Sequence, residues 1–370
     1  MENNRKRKKN DILSKYRKKR SLEPIECQEL LDDLTDISDS DESFSSDSDS
    51  ESESELGTSD DSDNDNSESG VNLNDNAWNR NNTMPNINNF TGESGIKVDI
   101  PETPLGFLQL FVTRELLGYF TKHTNLYANK RREQNPNMYK RWYKASIIDI
   151  AKYLGITILF GISKLPRISM YWGKEEEYHN SAVSNCMRYN RFRSLNCFFH
   201  SHGNASDTDN QDRLFKIRPV IDYLIRLFKS TYTPTQNLTI DEGMLAFKGR
   251  LSFKCYLPNK PIKYGIKLYI LAESDTGYES NFKIYSGAGN TTSEMVYDLM
   301  KDYRNKNYHL YMDNFYNSVN LSEKLLKDNI YTCGTLRIVR GAPKYFQASL
   351  EQLRKGDVNF CRKGDDSMER

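Results

Sequence analysis

NLTIDEGMLAFKGR, residues 237–250, and YMDNFY, residues 311–316, are the stretches whose reading decides the fold. Each is a short apolar strand running into one aspartate: Leu238 and Ile240 lead into Asp241, and Leu310 and Met312 lead into Asp313. A period of two places Thr239 with Asp241 on one strand face and Tyr311 with Asp313 on the other strand's. If the strands are neighbours, about 4.8 Å apart, the two carboxylates can share a divalent cation. Such a pair is the nucleus of a two-metal phosphoryl-transfer site, with ions about 4 Å apart on the attacking and leaving oxygens. A complete site needs a third acidic group. A lone aspartate after a strand is also an ordinary turn residue, so the weight lies on the matched pair. Glu242, one residue out of phase with Asp241, and Asp275, in the turn-like SDTGY, read as structural.

The surrounding pattern supplies a reason for the pair to meet. After Pro234 the chain reads as strands at 238–241, within KYGIKLYILAES, and near 282–285. A helix opens on the capping-box pattern Thr291-x-x-Glu294. A strand ending at Asp313, a helix over 318–327 and a strand near 331–336 follow. Strand, strand, strand, helix, strand, helix, strand is the order of a ribonuclease-H-like mixed sheet of the α/β class, in which first and fourth strands lie side by side. Between the aspartates, FKGRLSFKCYLPNKPIKYGIK interleaves Phe247, Phe253, Tyr256 and Tyr264 with Lys248, Arg250, Lys254, Lys260, Lys263 and Lys267. Basic residues with aromatics suit phosphate and base contact; lysines snorkelling along an exposed strand pair would give the same pattern.

Upstream, residues 101–236 read as an all-helical domain. SIIDIAKYLGITILFGI starts at a Ser146 cap, NRFRSLNCFFH is a further helix, and 212–234 carries Ile217, Val220, Ile221, Leu224 and Phe228 on one face. Arg191, Arg193, Arg213 and Lys216 read as surface or core-edge residues.

The formal charge of +1 hides roughly +8 over residues 1–20, roughly −20 over 21–100 and roughly +13 over the remainder. The folded part is therefore basic, which favours a polyanionic partner. Residues 28–98 (DISDSDESFSSDSDSESESE at their centre) are too poor in apolar side chains to offset ordering entropy, so a disordered acidic tail is expected to about residue 100. It reads equally as a kinase target or as a spacer shielding the basic arm. Arg5–Lys9 and Arg17–Arg20 form two basic blocks that suit an import receptor, and hence the nucleus, a nucleic-acid-binding arm, or a merely solvated tail. The six cysteines are scattered without a C-x-x-C, which points to a reduced compartment and no zinc module. There is no secretory h-region, and the apolar run 154–162 is too short for a bilayer, so no membrane association is expected.

DRLFKIRPVIDYLI, YTPTQNLTIDEGMLAFKGR, YLPNKPIKYGIKLY and YMDNFYNSVNL, with ILFGISKLPRISMYW and MRYNRFRSLNCFFH upstream, resemble the piggyBac transposases and their domesticated derivatives over about residues 104–340. The resemblance implies a helical dimerisation and DNA-binding domain over 101–236, hence a homodimer. A ribonuclease-H-like catalytic domain over 237–336 and the start of an insertion domain over 337–370 would follow. It further implies three aspartates binding Mg²⁺, with Mn²⁺ as a substitute, and DNA partners: transposon ends and a TTAA target. The IDE and MDN motifs put the first two catalytic, metal-binding aspartates at Asp241 and Asp313. Asp357, Asp365 and Asp366 lie in a polar tail with no strand or helix to deliver them, so no third ligand is assigned and the sheet is expected to be C-terminally incomplete. The sequence then supports three readings: a transposase-derived protein that has lost strand transfer, a nuclear DNA-binding or chromatin protein without catalysis, or a gene product continuing past Arg370.

Overall fold

The computed structural model describes residues 78–80, 87–135, 141–175, 178–202, 212–258, 260–287, 291–343, 354, 356, 358–363 and 366–369. The basic blocks, the acidic tract to residue 77, Asp357 and Asp365 lie outside the described residues. Of the described residues, 112–220 form one compact unit, and 78–111 with 221–369 form another.

The first unit is helical. α1 (Pro104–Gln109) precedes it in the chain; α2 (Arg114–Gln134), α3 (Ile147–Ile162), a 3-10 turn at Ile168–Trp172, α4 (Ser181–Cys186) and α5 (Tyr189–Phe198) follow. The expected Ser146 cap closes a full capping box with Asp149, satisfying two orphan amides at the helix start. Asp149 also pairs with Arg191 on α5 at 3.0 Å. Arg191 is buried, donates to the Tyr143 carbonyl and lies 3.6 Å from the Tyr143 ring centre. It is therefore an internal tie rather than a surface residue. Ile150, Tyr153, Ile156, Phe192, Leu195 and Phe198 fill the core. Among the described residues no helix is long and apolar enough to cross a membrane.

In the second unit, α6 (Arg218–Thr231) leads to β3 (Tyr232–Thr233), which pairs with β2 (Gly95–Ile96). The main sheet holds β4 (Asn237–Ala246), β5 (Cys255–Tyr256), β6 (Tyr264–Glu273), β7 (Glu279–Ile284), β8 (Tyr308–Met312) and β9 (Ile330–Gly334). Its order is β5-β6-β4-β8-β9, with β7 also on β6. β4–β6 and β6–β7 are antiparallel, while β4–β8 and β8–β9 are parallel. The parallel joins need helical crossovers, supplied by α7 (Thr292–Leu299) before β8 and α8 (Val319–Lys327) after it. Both start on caps readable in the sequence, Thr291 with Glu294 and Ser318. Val296, Leu299, Leu321 and Leu325 pack on Leu238, Ile240, Leu271, Leu310 and Ile330.

Three features were left open by the sequence reading or differ from it. The inner face of β6 carries Lys267, Leu271 and Glu273, all buried, while Ile266, Leu268 and Ile270 stay half-exposed on the other face. Pairing fixes this: Leu238, Ile240 and Glu242 of β4 stand opposite Glu273, Leu271 and Tyr269, and opposed residues share a face. Secondly, the tail expected to about residue 100 has described structure at 78–80 and from 87 on. β1 (Trp78–Asn79) pairs with β10 (Phe360–Lys363), Trp78 packs on Val319 and Cys361, and Phe90 meets the Tyr308 ring edge-on at 4.8 Å. Thirdly, Asp366 opens β11 (Asp366–Glu369), paired with β10. The polar tail does contain strands: β10 pairs with the distant β1 and with β11, which follows it closely in the chain.

Candidate metal and nucleic-acid site

β4 and β8 pair in parallel as Asn237↔His309, Leu238↔Leu310, Thr239↔Tyr311 and Ile240↔Met312. Asp241 and Asp313 are the next residues on each strand, so the topology brings two positions 72 apart in sequence to the same end of adjacent strands. Leu238, Ile240, Leu310 and Met312 are buried, while Asp241 and Asp313 are exposed. The alternation thus turns the aliphatic residues to the core and the carboxylates to the open face.

The strand ends are held by local contacts. Gly334 faces Met312, and a Cβ there would lie 1.9 Å from the Met312 carbonyl oxygen. Only glycine allows β9 to approach β8 so closely beside Asp313. Oδ1 of Asp313 accepts from the Phe315 amide at 2.9 Å, an Asx turn that starts the loop to α8. Oδ1 of Asp241 accepts from the Glu242 amide at 2.7 Å. Each carboxylate keeps a second oxygen outside these bonds. Exposed carboxylate oxygens are the donors that Mg²⁺ and Mn²⁺ prefer, so the chemistry of this pair fits the ion. Among the described residues no group of three or more His, Cys, Asp or Glu is placed to hold a metal ion.

Glu242 is closer to the site than its phase in the strand suggests. Burial pushes its carboxyl above the usual range, and a hydrogen bond shared with Asp241 adds to the effect, against the pull of Lys267 and Lys260. Lys260 pairs with it at 3.5 Å. Tyr316, fully buried, is pushed up by burial and then by the Glu242 charge; its hydroxyl closes no hydrogen bond of normal geometry. Glu242 therefore joins the carboxylates to the buried layer beneath them. Further back on the open face, Asn237, Thr239, Ser274, Asp275 and Tyr311 line a depression of about 430 Å³. Glu273, which the sequence did not single out, is buried and accepts from Tyr232 at 2.9 Å and from the Thr235 amide at 2.6 Å.

The six basic candidates separate. Lys248, Arg250, Lys254 and Lys263 are exposed, and Lys260 is half-buried on Glu242. Lys267 is 5% exposed, with its ammonium 4.6 Å from the Phe315 ring centre. It therefore belongs to the inner layer with Glu242 rather than to an open phosphate-binding surface.

A family model described as Transposase IS4 matches residues 103–368. The human piggyBac transposable element-derived protein 3 is 26% identical over 291 residues, covering 73% of this chain and 47% of its own length. The human piggyBac transposable element-derived protein 2 is 24% identical over 308 residues, covering 79% and 50%. The cryo-EM structure of a piggyBac transposase synaptic complex with hairpin DNA aligns with a TM-score of 0.59 at 25% identity, over 71% of this chain and 57% of that one. The chain spans about half the length of these two curated relatives.

Proposed function

This chain belongs to the piggyBac family of transposases and transposase-derived proteins, and from that premise we propose that it is a DNA-binding protein of transposase descent whose Asp241 and Asp313 hold a divalent cation. The observation that carries this is the parallel register of β4 and β8, which sets the two aspartates on neighbouring strand ends. Two antiparallel joins followed by two parallel ones support reading the sheet as ribonuclease-H-like. The exposed Lys248, Arg250, Lys254 and Lys263, on the segment between the aspartates, suit a polyanion.

When bound, Mg²⁺ or Mn²⁺ would supply charge stabilisation for a phosphoryl oxygen. The residues here would orient it through the oxygen of each aspartate that does not accept from the Glu242 or Phe315 amide. Asp241 and Asp313 supply two of the carboxylates that a pair of ions for strand transfer would need, so DNA and cation binding is the activity proposed for these residues. Transposon-end and TTAA recognition, dimer formation, and nuclear import through Arg5–Lys9 and Arg17–Arg20 belong to the same proposal.

Calorimetric titration of the full chain with MgCl₂ and MnCl₂ tests the cation reading. Asp241→Asn should lose the binding heat, and an unchanged affinity rejects it. A duplex gel shift across a salt series tests the DNA reading: affinity should fall steeply with salt, and a shift insensitive to salt rejects it.

A further inference from the structure

β5 and β6 meet at Cys255↔Gly265 and Tyr256↔Tyr264. Directly opposed residues of an antiparallel pair share a face, so both tyrosine rings stand on one side of the sheet. Their centres are 4.5 Å apart with planes at 30°, yet Tyr256 is 45% and Tyr264 54% exposed. Two large rings packed together in water cover one face each and leave the others open. That is an unusual use of aromatic area unless something planar is to stack there. Lys263, exposed immediately before Tyr264, has the opposite parity and belongs to the other face. Lys254, also exposed, lies two residues before Tyr256 and donates to the Gly249 carbonyl at 3.4 Å.

The register connects this ring pair to the aspartates. Asp241 stands opposite Ile270, Gly243 opposite Leu268 and Leu245 opposite Ile266. Tyr264 is the next β6 position of the same parity, so it shares the open face with Asp241. It lies six residues along β6 from Ile270, or about 20 Å at the usual rise per residue. Between them the β4 floor is Gly243, without a side chain, and Leu245, 58% exposed.

We infer that this face is a track for single-stranded DNA, with an unpaired base stacked on the Tyr256–Tyr264 pair and the backbone passing Lys254 towards Asp241 and Asp313. Stacking selects the unpaired state because duplex bases already cover one another, whereas every unpaired base offers a ring face to an aromatic side chain. The inference rests on the DNA-binding reading above and adds the strandedness of the ligand and the residues that sense it.

The test uses the full chain with an oligothymidine carrying one 2-aminopurine, the duplex made from it, and an RNA oligomer of the same sequence. Replacing both rings (Tyr256→Ala with Tyr264→Ala) should weaken single-strand binding about tenfold or more and abolish 2-aminopurine quenching. Duplex affinity should stay unchanged, and the double Tyr→Phe variant should bind as the parent does. Parental single-strand affinity in the alanine variant overturns the inference, as does equal loss in the phenylalanine variant. Tighter binding of the RNA overturns the assignment to DNA. If the parent binds duplex but no single strand, this inference alone falls; if it binds neither, the proposed function falls with it. Tyr256→Trp gives a readout that does not depend on the alanine variant folding: bound oligothymidine should quench the indole, and an unquenched indole at saturation counts against the stack.

Discussion

Ile240 and Met312 are the last paired residues of the parallel β4–β8 ladder, and on each strand the following residue is an aspartate. Asp313 has two tasks that can be separated, since its Oδ1 also accepts from the Phe315 amide. Asp313→Asn keeps an acceptor for the turn and should melt near the parent while losing cation affinity. Asp313→Ala should lose both, at a cost of about 1 kcal/mol in stability. Calorimetry with thermal melts checks this; a cation bound normally by the asparagine variant would exclude Asp313 as a ligand.

Gly334→Ala would force a methyl group into the Met312 carbonyl. The strands must part, at about 1–3 kcal/mol or more for overpacking, and Asp313 should loosen with them. Denaturant titration should show a lower midpoint and calorimetry a weaker cation site. A variant as stable as the parent would mean that β9 lies less tightly on β8.

Glu242 sets a pH dependence. Its carboxyl is held above the ordinary range, so the folded chain binds that proton more tightly than the unfolded one. Stability from this source is full below the ordinary glutamate range and is lost as pH rises through the folded value. Glu242→Gln should flatten the decline in stability between mildly acidic and neutral pH. Identical slopes for variant and parent would show that the carboxyl is not held protonated.

The Asp149–Arg191 tie in the helical unit has the opposite sign. Burial opposes ionisation of Asp149, but hydrogen bonds from Arg191 and Ser146 outweigh it and hold the carboxyl below the usual range. That contribution is present above the ordinary aspartate range and is lost as pH falls through the folded value. Asp149→Ala should cost about 3 kcal/mol near neutrality, because it strands a buried guanidinium and removes a cap. The difference from the parent should narrow in acid unfolding experiments; a constant difference would place the effect elsewhere.

The features legible in the sequence are those with local causes. Ser146, Thr291 and Ser318 announce their helices because a cap is satisfied within three residues, and the two Asp-terminated strands could be placed together once the strand order was read. The inner face of β6 was not legible: Ile266, Leu268 and Ile270 look like a core stripe, but β4 opposite decides which parity is buried, so Lys267 and Glu273 go inside. Glu242 was set aside by its phase, although a long side chain reaches around the strand. The strands at Trp78 and Asp366 are too short to show a periodicity of their own; Trp78 is placed by a partner far along the chain, and Asp366 by β10 just before it.

The pairing of Trp78 with Lys363 also sets a timetable. Roughly 285 residues separate the two, and at the usual pace of translation that is about 15 to 60 s. Throughout that interval the emerging tryptophan is an unsheltered apolar group trailing an acidic segment, and its docking surface does not yet exist. Closure of this small sheet is therefore among the latest events in the chain's maturation, and the nascent form has the greater need of chaperone cover.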